Sequence, residues 1–168
     1  SAASDGFQGP PHYHVLETTV AKGYQISEEQ AKFKQADIVI FQYPVFWFSV
    51  PGAFKTYLDE VYEHGVFFTG SDRYGDGGLM AGKRYLLSTT WNAPSDVFID
   101  NELFFDGRAM DEVLLGMHKT QQYVGMAQLA SFGAFNVVSN PQLDQQRAAW
   151  RQHLQTELVN FESPVAAA

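Results

Sequence analysis

Residues 37–42, DIVIFQ, constrain the fold more than any other stretch of the chain. A short, continuous apolar run of this kind suits a strand buried on both faces, and such strands belong to parallel sheets. Parallel neighbours are joined by crossovers, usually helices, and the flanking sequence supplies both element types. VLETTV (15–20) and YLLSTT (85–90) are strands by composition, and AQLASFGAFNVV (127–138) contains a fourth. Ser27 stands as an N-cap with Gln30 as its capping-box partner, opening a helix that runs to about Gln35. Pro51 sits at the first turn of the next helix, where Phe54, Tyr57, Leu58 and Val61 follow at helical spacing. MDEVLLGMHKTQQYV (110–124) reads as a third helix. Residues 142–161 form a closing amphipathic helix, with Leu143, Trp150, Leu154, Leu158 and Phe161 toward the core. The fold class that follows is α/β with a parallel sheet. Residues 1–14 read as coil because of Pro10-Pro11, Gly6 and Gly9, residues 15–162 as one domain, and residues 163–168 as a loose tail.

Composition removes several function classes. The 168 residues suit one domain with a real core. A net charge of −8 argues against nucleic acid as the main partner, since phosphate backbones select basic surfaces. The absence of cysteine excludes disulfides, zinc thiolate sites and thiol catalysis. No apolar run approaches the roughly 20 residues of a membrane span, and no signal peptide opens the chain. The default location is cytoplasmic.

In α/β folds of this kind ligands bind beyond the carboxyl ends of the strands. The loops after the second and third strands, VFWFS and TTWNAP, are the strangest in the chain. A loop that only turned the chain would favour Gly, Asn, Asp or Ser. Phe46, Trp47 and Phe48 read instead as walls for a flat ring, with Pro44 stiffening the turn, although they could be core or dimer contacts. Thr89, Thr90 and Asn92 offer hydroxyls and an amide for a ring's polar edge, or form a plain Ser/Thr turn beside a packed Trp91. Tyr74–Gly78 lacks the spacing and the Lys-Ser/Thr of a phosphate loop, and reads as a flexible loop carrying Tyr74 or Phe68 to a site. His12 and His14 have metal-like spacing without supporting ligands, His118 reads as a satisfied core histidine, and Asp59-Glu60 as a solvated helix face. Ser88, Thr89 and Thr90 lack a nucleophile-elbow pattern, so a hydrolase does not fit.

At FQYPVFWFSVPGAFKTYLDEV, followed by GKRYLLSTTWNAP, the chain resembles the flavodoxin-like NAD(P)H:quinone reductases. It is nearest to the bacterial modulator of drug activity B group and more distant from the DT-diaphorases. The resemblance implies a flavodoxin-like three-layer sandwich and a homodimer binding FAD, with FMN as the alternative. It implies two-electron reduction of quinones by NADPH or NADH, with hydride passing through the flavin N5 in a ping-pong cycle. By position, Pro44, Val45, Phe46, Trp47 and Phe48 would lie along the isoalloxazine ring. Thr89, Thr90, Trp91 and Asn92 would border its polar edge. Phe68, Tyr74 and Tyr123 would close over the ring from the partner subunit. The DT-diaphorase tyrosine–histidine pair has no match in NELFFDGR, so no acid–base role is transferred. The family also begins with a strand, a phosphate-binding loop and a helix ahead of the strand matched by VLETTV, and residues 1–14 supply none of these. Two neighbouring readings stay open: a regulatory flavodoxin-like subunit of a potassium efflux system, and an FMN azoreductase or nitroreductase.

Overall fold

The computed structural model describes residues 13–162, with side chains described to residue 158. Its sheet is parallel throughout. Strand β1 (Ile38–Pro44) pairs with β2 (Arg84–Thr90) along its full length, from Ile38 opposite Arg84 to Pro44 opposite Thr90. On its other side β2 pairs with two short pieces, β3 (Ala127–Gln128) and β4 (Phe132–Ala134). The fourth strand read from residues 127–138 is therefore present in two parts. Residues 129–131 lie between them, and Leu129 N donates to Tyr85 O at 2.8 Å. Strand β2 is central, and residues 85–89 are buried.

Side chains alternate across β2. Tyr85 and Leu87 enter a large aromatic core with Phe33, Phe41, Tyr57, Leu58 and Phe67, under α1 (Ile26–Gln35), α2 (Gly52–Val61) and α4 (Leu115–Tyr123). Leu86 faces the opposite way, into a smaller core with Leu129, Trp150, Leu154 and Leu158. That second core is built by α5 (Leu143–Glu162), which confirms three of the core positions read for the closing helix. Leu143 is 56% exposed and is not among them, because it occupies the first turn, beyond the reach of the sheet. Phe161 lies outside the described side chains.

Three expectations need correction. First, β1 is not buried on both faces: Phe41 and Tyr43 are buried, but Ile40 is 38% exposed and Gln42 is exposed. The α5 side chains cover Leu86 of β2 and Phe132 of β4 and reach only Ile38 at the start of β1, which leaves Ile40 and Gln42 open. Second, VLETTV is not a strand. A strand needs a neighbouring backbone, and the outer edge of β1 pairs with none among the described residues. The segment is held by side chains instead and ends in a 3₁₀ turn, Val20–Lys22. Third, the helix after it begins two residues early. Gln25 is the N-cap, so Ser27 lies in the first turn, while Gln30 donates to Val61 O and the Glu63 carboxylate.

The helix expected over residues 110–124 is broken. It forms α3 (Met110–Val113) and α4, separated by Leu114 at φ −91°, ψ 17°. Val113 and Gly116 both lower helix propensity there, and the tightened turn closes with Met117 N on Leu114 O at 2.9 Å. Among the described residues no helix is long and apolar enough to cross a membrane.

Glu29 fastens the N-terminal segment to the core. It is 3% exposed, accepts from Thr18 Oγ1 and Tyr57 Oη at 2.8 Å, and pairs with Lys32 Nζ at 2.7 Å. Burial alone would raise its carboxyl, but the bonds from Lys32, Thr18 and Tyr57, with the Lys32 charge, hold it below the ordinary value of 4.5. A folded-state value below the unfolded one contributes stability above that ordinary value and loses it as pH falls through the folded value. Glu29→Gln should therefore cost on the order of 2 kcal/mol at pH 7, since it weakens charge-assisted bonds to buried partners. It should also flatten the acid limb of the stability–pH curve, measured by denaturant unfolding between pH 7 and 3. An unchanged acid limb would show that Glu29 is not the titrating anchor.

Candidate functional site

Because β1 and β2 are parallel and in register from end to end, their carboxyl ends coincide. The loops after Pro44 and Thr90 leave the sheet side by side, joined by Val45 N donating to Thr90 O at 3.0 Å. Both loops singled out in the sequence thus stand at one edge of the sheet.

The first loop is a tight reverse turn. Phe46 N donates to Ser49 O and Ser49 N to Phe46 O, both at 3.0 Å, leaving Trp47 and Phe48 as its two central residues. Their φ angles are 51° and 62°. Positive φ at both centres is the signature of the type I′ turn, where Asn-Gly is the usual occupant. Bulky side chains in this region are costly, on the order of 1–3 kcal/mol each, and persist where surrounding structure or function demands them. The turn does not hide its rings to offset that cost. Trp47 is 92% exposed, Phe46 56% and Phe48 49%. Among the described residues, Phe48 packs on other rings, 5.6 Å from Phe104 and edge-on to Phe105 at 5.7 Å.

The second loop divides. Thr89 and Trp91 turn inward: Trp91 Nε1 donates to Thr89 Oγ1 at 2.9 Å, and Thr89 Oγ1 donates to Phe132 O at 3.1 Å. Trp91 is buried edge-on against Phe98 at 5.0 Å, and its backbone N–H goes to Ala134 O. Both side chains are therefore bonded and packed inward, beneath the loop. Thr90 and Asn92 stay at the surface, with Asn92 Oδ1 accepting from the Ser139 backbone and hydroxyl.

Phe68, Tyr74 and Tyr123, more than 50 positions apart at the extremes, meet as one cluster. Tyr123 lies 5.5 Å from both Phe68 and Tyr74. Backbone packing brings them together. Met80 N donates to Val124 O at 2.8 Å, and Gly78 lies so close to Gly125 that a Cβ would sit 2.4 Å from its nitrogen. Only glycine lets the 63–82 loop meet the end of α4 this closely. The cluster and Phe48 line one open groove of about 1080 Å³, together with Tyr43, Arg73, Lys119 and Thr120. A single chain thus borders the groove with residues that the family resemblance assigns to two subunits. Thr89–Asn92 do not line it.

Two features escaped the sequence. Phe104, 70% exposed, extends the aromatic surface beside Phe48, and the doublet Phe104-Phe105 was its only signal. The second is Asp111, 3.2 Å from His118; His118 itself, with Nδ1 2.8 Å from Tyr85 Oη, is the satisfied core histidine that its sequence context suggested. No cluster of candidate metal ligands occurs among the described residues.

The sequence matches the profile of the flavodoxin-like fold family over residues 7–157. An uncharacterized protein of Schizosaccharomyces pombe is 38% identical over 150 residues, covering 83% of this chain and 76% of that protein. The NADPH:quinone oxidoreductase MdaB of Haemophilus influenzae is 36% identical over 153 residues, covering 85% and 80% respectively. A Klebsiella pneumoniae structure named as a quinone reductase superimposes with a TM-score of 0.63 at 28% identity, over 82% of this chain and 54% of that one. The chain belongs to the flavodoxin-like family that contains these quinone reductases.

Proposed function

We propose that this chain is a flavin-dependent NAD(P)H:quinone reductase that works as a homodimer with FAD. The observation that carries the reading is the strained aromatic turn at the carboxyl edge of a parallel sheet, facing a groove lined by further aromatics. The similarity to an NADPH:quinone oxidoreductase over most of both chains supports it. So does the exposed apolar surface of Trp47, Phe104 and Ile99, which a second copy would cover.

The residues present fit the ring of a flavin. Trp47 and Phe48 offer flat apolar faces, Pro44 and Val45 hold them at the sheet edge, and Thr90 and Asn92 add polar groups beside them. The described residues contribute this ring half of the site; no glycine-rich strand-to-helix turn able to cradle a diphosphate occurs among them. When bound, the flavin would supply two-electron hydride chemistry, while the protein supplies orientation and electrostatics. Phe68, Tyr74 and Tyr123 close the far wall of the groove, hold planar substrates flat and exclude water. One groove serving donor and acceptor in turn requires the first product to leave before the acceptor enters, so initial-rate lines should run parallel. Intersecting lines would require separate pockets.

Purified protein supplied with FAD should show an oxidised-flavin spectrum that anaerobic NADPH bleaches and menadione restores. Chromatography of the released flavin separates FAD from FMN. A protein that stays colourless with either flavin overturns the reading.

The turn should show a conflict between stability and binding. Replacing its centre with residues suited to positive φ, Trp47→Asn with Phe48→Gly, should stabilise the fold by about 0.5–2 kcal/mol. The same change should weaken flavin binding at least about tenfold. A stabilised variant with unchanged flavin affinity would show that the turn is not the platform.

A further inference from the structure

The chain beside β2 carries one extra residue. Tyr85 lies opposite Gln128 and Ser88 opposite Phe132, so two residues of β2 face three, Leu129–Ser131. This is a β-bulge, a feature rare between parallel strands and over-represented beside functional sites. Its effect on side-chain direction is visible. Leu129 and Phe132 both join the core under α5, although they stand three positions apart. In an unbroken strand, residues on one face are separated by even steps. The bulge therefore reverses every side chain after it. Gly133 takes the place opposite Thr89, where a Cβ would stand 2.6 Å from Met110 Sδ. Without the extra residue, Phe132 would occupy that place, and no side chain of its size fits there.

A bulged residue loses its place in the ladder, and α5 supplies the replacement bonds. Ala130 N donates to Glu157 Oε2 at 3.0 Å, and His153 Nε2 lies 2.8 Å from Ala130 O. A carbonyl only accepts, so His153 carries a proton on Nε2. His153 and Glu157 are one turn apart on α5, on the face that also holds Trp150, Leu154 and Leu158. The rings of His153 and Trp150 flank Phe132 at 5.5 and 5.2 Å. One helix thus grips the bulge at both polar atoms of Ala130 and at the ring of Phe132. Past the bulge, the register reaches the candidate site. Phe132 O accepts from Thr89 Oγ1, and Ala134 O from Trp91 N. Asn136 N donates to Ala93 O at 3.2 Å and Val137 N to Trp91 O at 3.0 Å. The loop that carries Thr90 and Asn92 is therefore stapled to the chain that follows the bulge.

We propose that His153 and Glu157 are positioning residues of the candidate site. By holding the bulge at Ala130 they fix the register of β4, and through β4 they fix the loop that presents Thr90 and Asn92. Neither residue touches a ligand; they act through Phe132 O and Ala134 O. The role at the flavin rests on the quinone reductase reading, whereas the hold on the register does not. The two bonds differ in what they need. The His153 bond needs a donor at the Nε2 position, which a glutamine amide also provides. The Glu157 bond needs an acceptor oxygen, which a glutamine amide provides as well. Leucine at either position keeps the bulk and removes the bond.

The hold on the register is tested without flavin, by amide hydrogen exchange read by NMR. In His153→Leu and in Glu157→Leu, the Trp91 amide, bonded to Ala134 O beyond the bulge, should exchange at least about tenfold faster. The Leu129 amide, bonded to Tyr85 O ahead of the bulge, should keep its protection. His153→Gln and Glu157→Gln should restore the Trp91 protection. Unchanged exchange at Trp91, or an equal loss at Leu129 and Trp91, overturns the proposal, since the second pattern is general destabilisation. The role at the flavin is read by titration with FAD well below the Tm of each variant. His153→Leu should raise the FAD Kd at least about tenfold, and His153→Gln should bring it back. Faster exchange at Trp91 with an unchanged Kd overturns the positioning role. A wild-type protein that binds no flavin overturns the reductase reading and the positioning role with it, while the exchange pattern still decides what holds the register.

Discussion

The parallel pairing of β1 with β2 is the constraint on which the rest depends. Its unbroken register, from Ile38 with Arg84 to Pro44 with Thr90, makes two strands end at the same height. Two loops distant in sequence then leave the sheet together. Strand β2 can serve as this frame because it is paired on both sides and sealed on both faces, by the aromatic core around Tyr85 and Leu87 and by the α5 core around Leu86. Strand β1 is less protected, with one edge unpaired among the described residues and one face half open.

On this frame the Phe46–Ser49 turn sets local preference against its placement. Asn-Gly would adopt the same backbone with less strain, and Trp-Phe gains little burial in return. Violations of local rules of this kind are expected at functional sites, where stability is given up for a surface. The Gly78–Gly125 contact is the opposite case. There glycine is required by close packing, and the packing brings Tyr74 to Tyr123.

Much of the site could be read from residue types. The aromatic loop was conspicuous because turn chemistry disfavours Phe and Trp, and the relation to quinone reductases was visible in two motifs. The fate of TTWNAP was not. Whether Thr89 and Trp91 face a ligand or the core depends on the pleat of β2 and on whether Ala134 and Phe132 are near enough to bond them, which no local pattern encodes. The same holds for Asp111, Ser131 and His118. They are ordinary on their own helix or loop and become a bonded polar group only when α3, α4 and the sheet meet. The broken helix at Leu114 also escaped, because a buried leucine looks alike in a continuous helix and in a tight turn.

The sequence by itself determined the α/β class, the helix and strand order of most elements, the aromatic character of the loop after β1 and the family resemblance. These follow from periodicity and residue chemistry, which act over a few neighbours. Only the tertiary structure decided that VLETTV is not a strand, that one face of β1 is open, that Trp91 is buried, and that Phe68, Tyr74 and Tyr123 share a groove with Phe48. Each depends on what lies across space: a backbone partner for a ladder, a helix to cover a face, or a glycine contact that lets two loops touch.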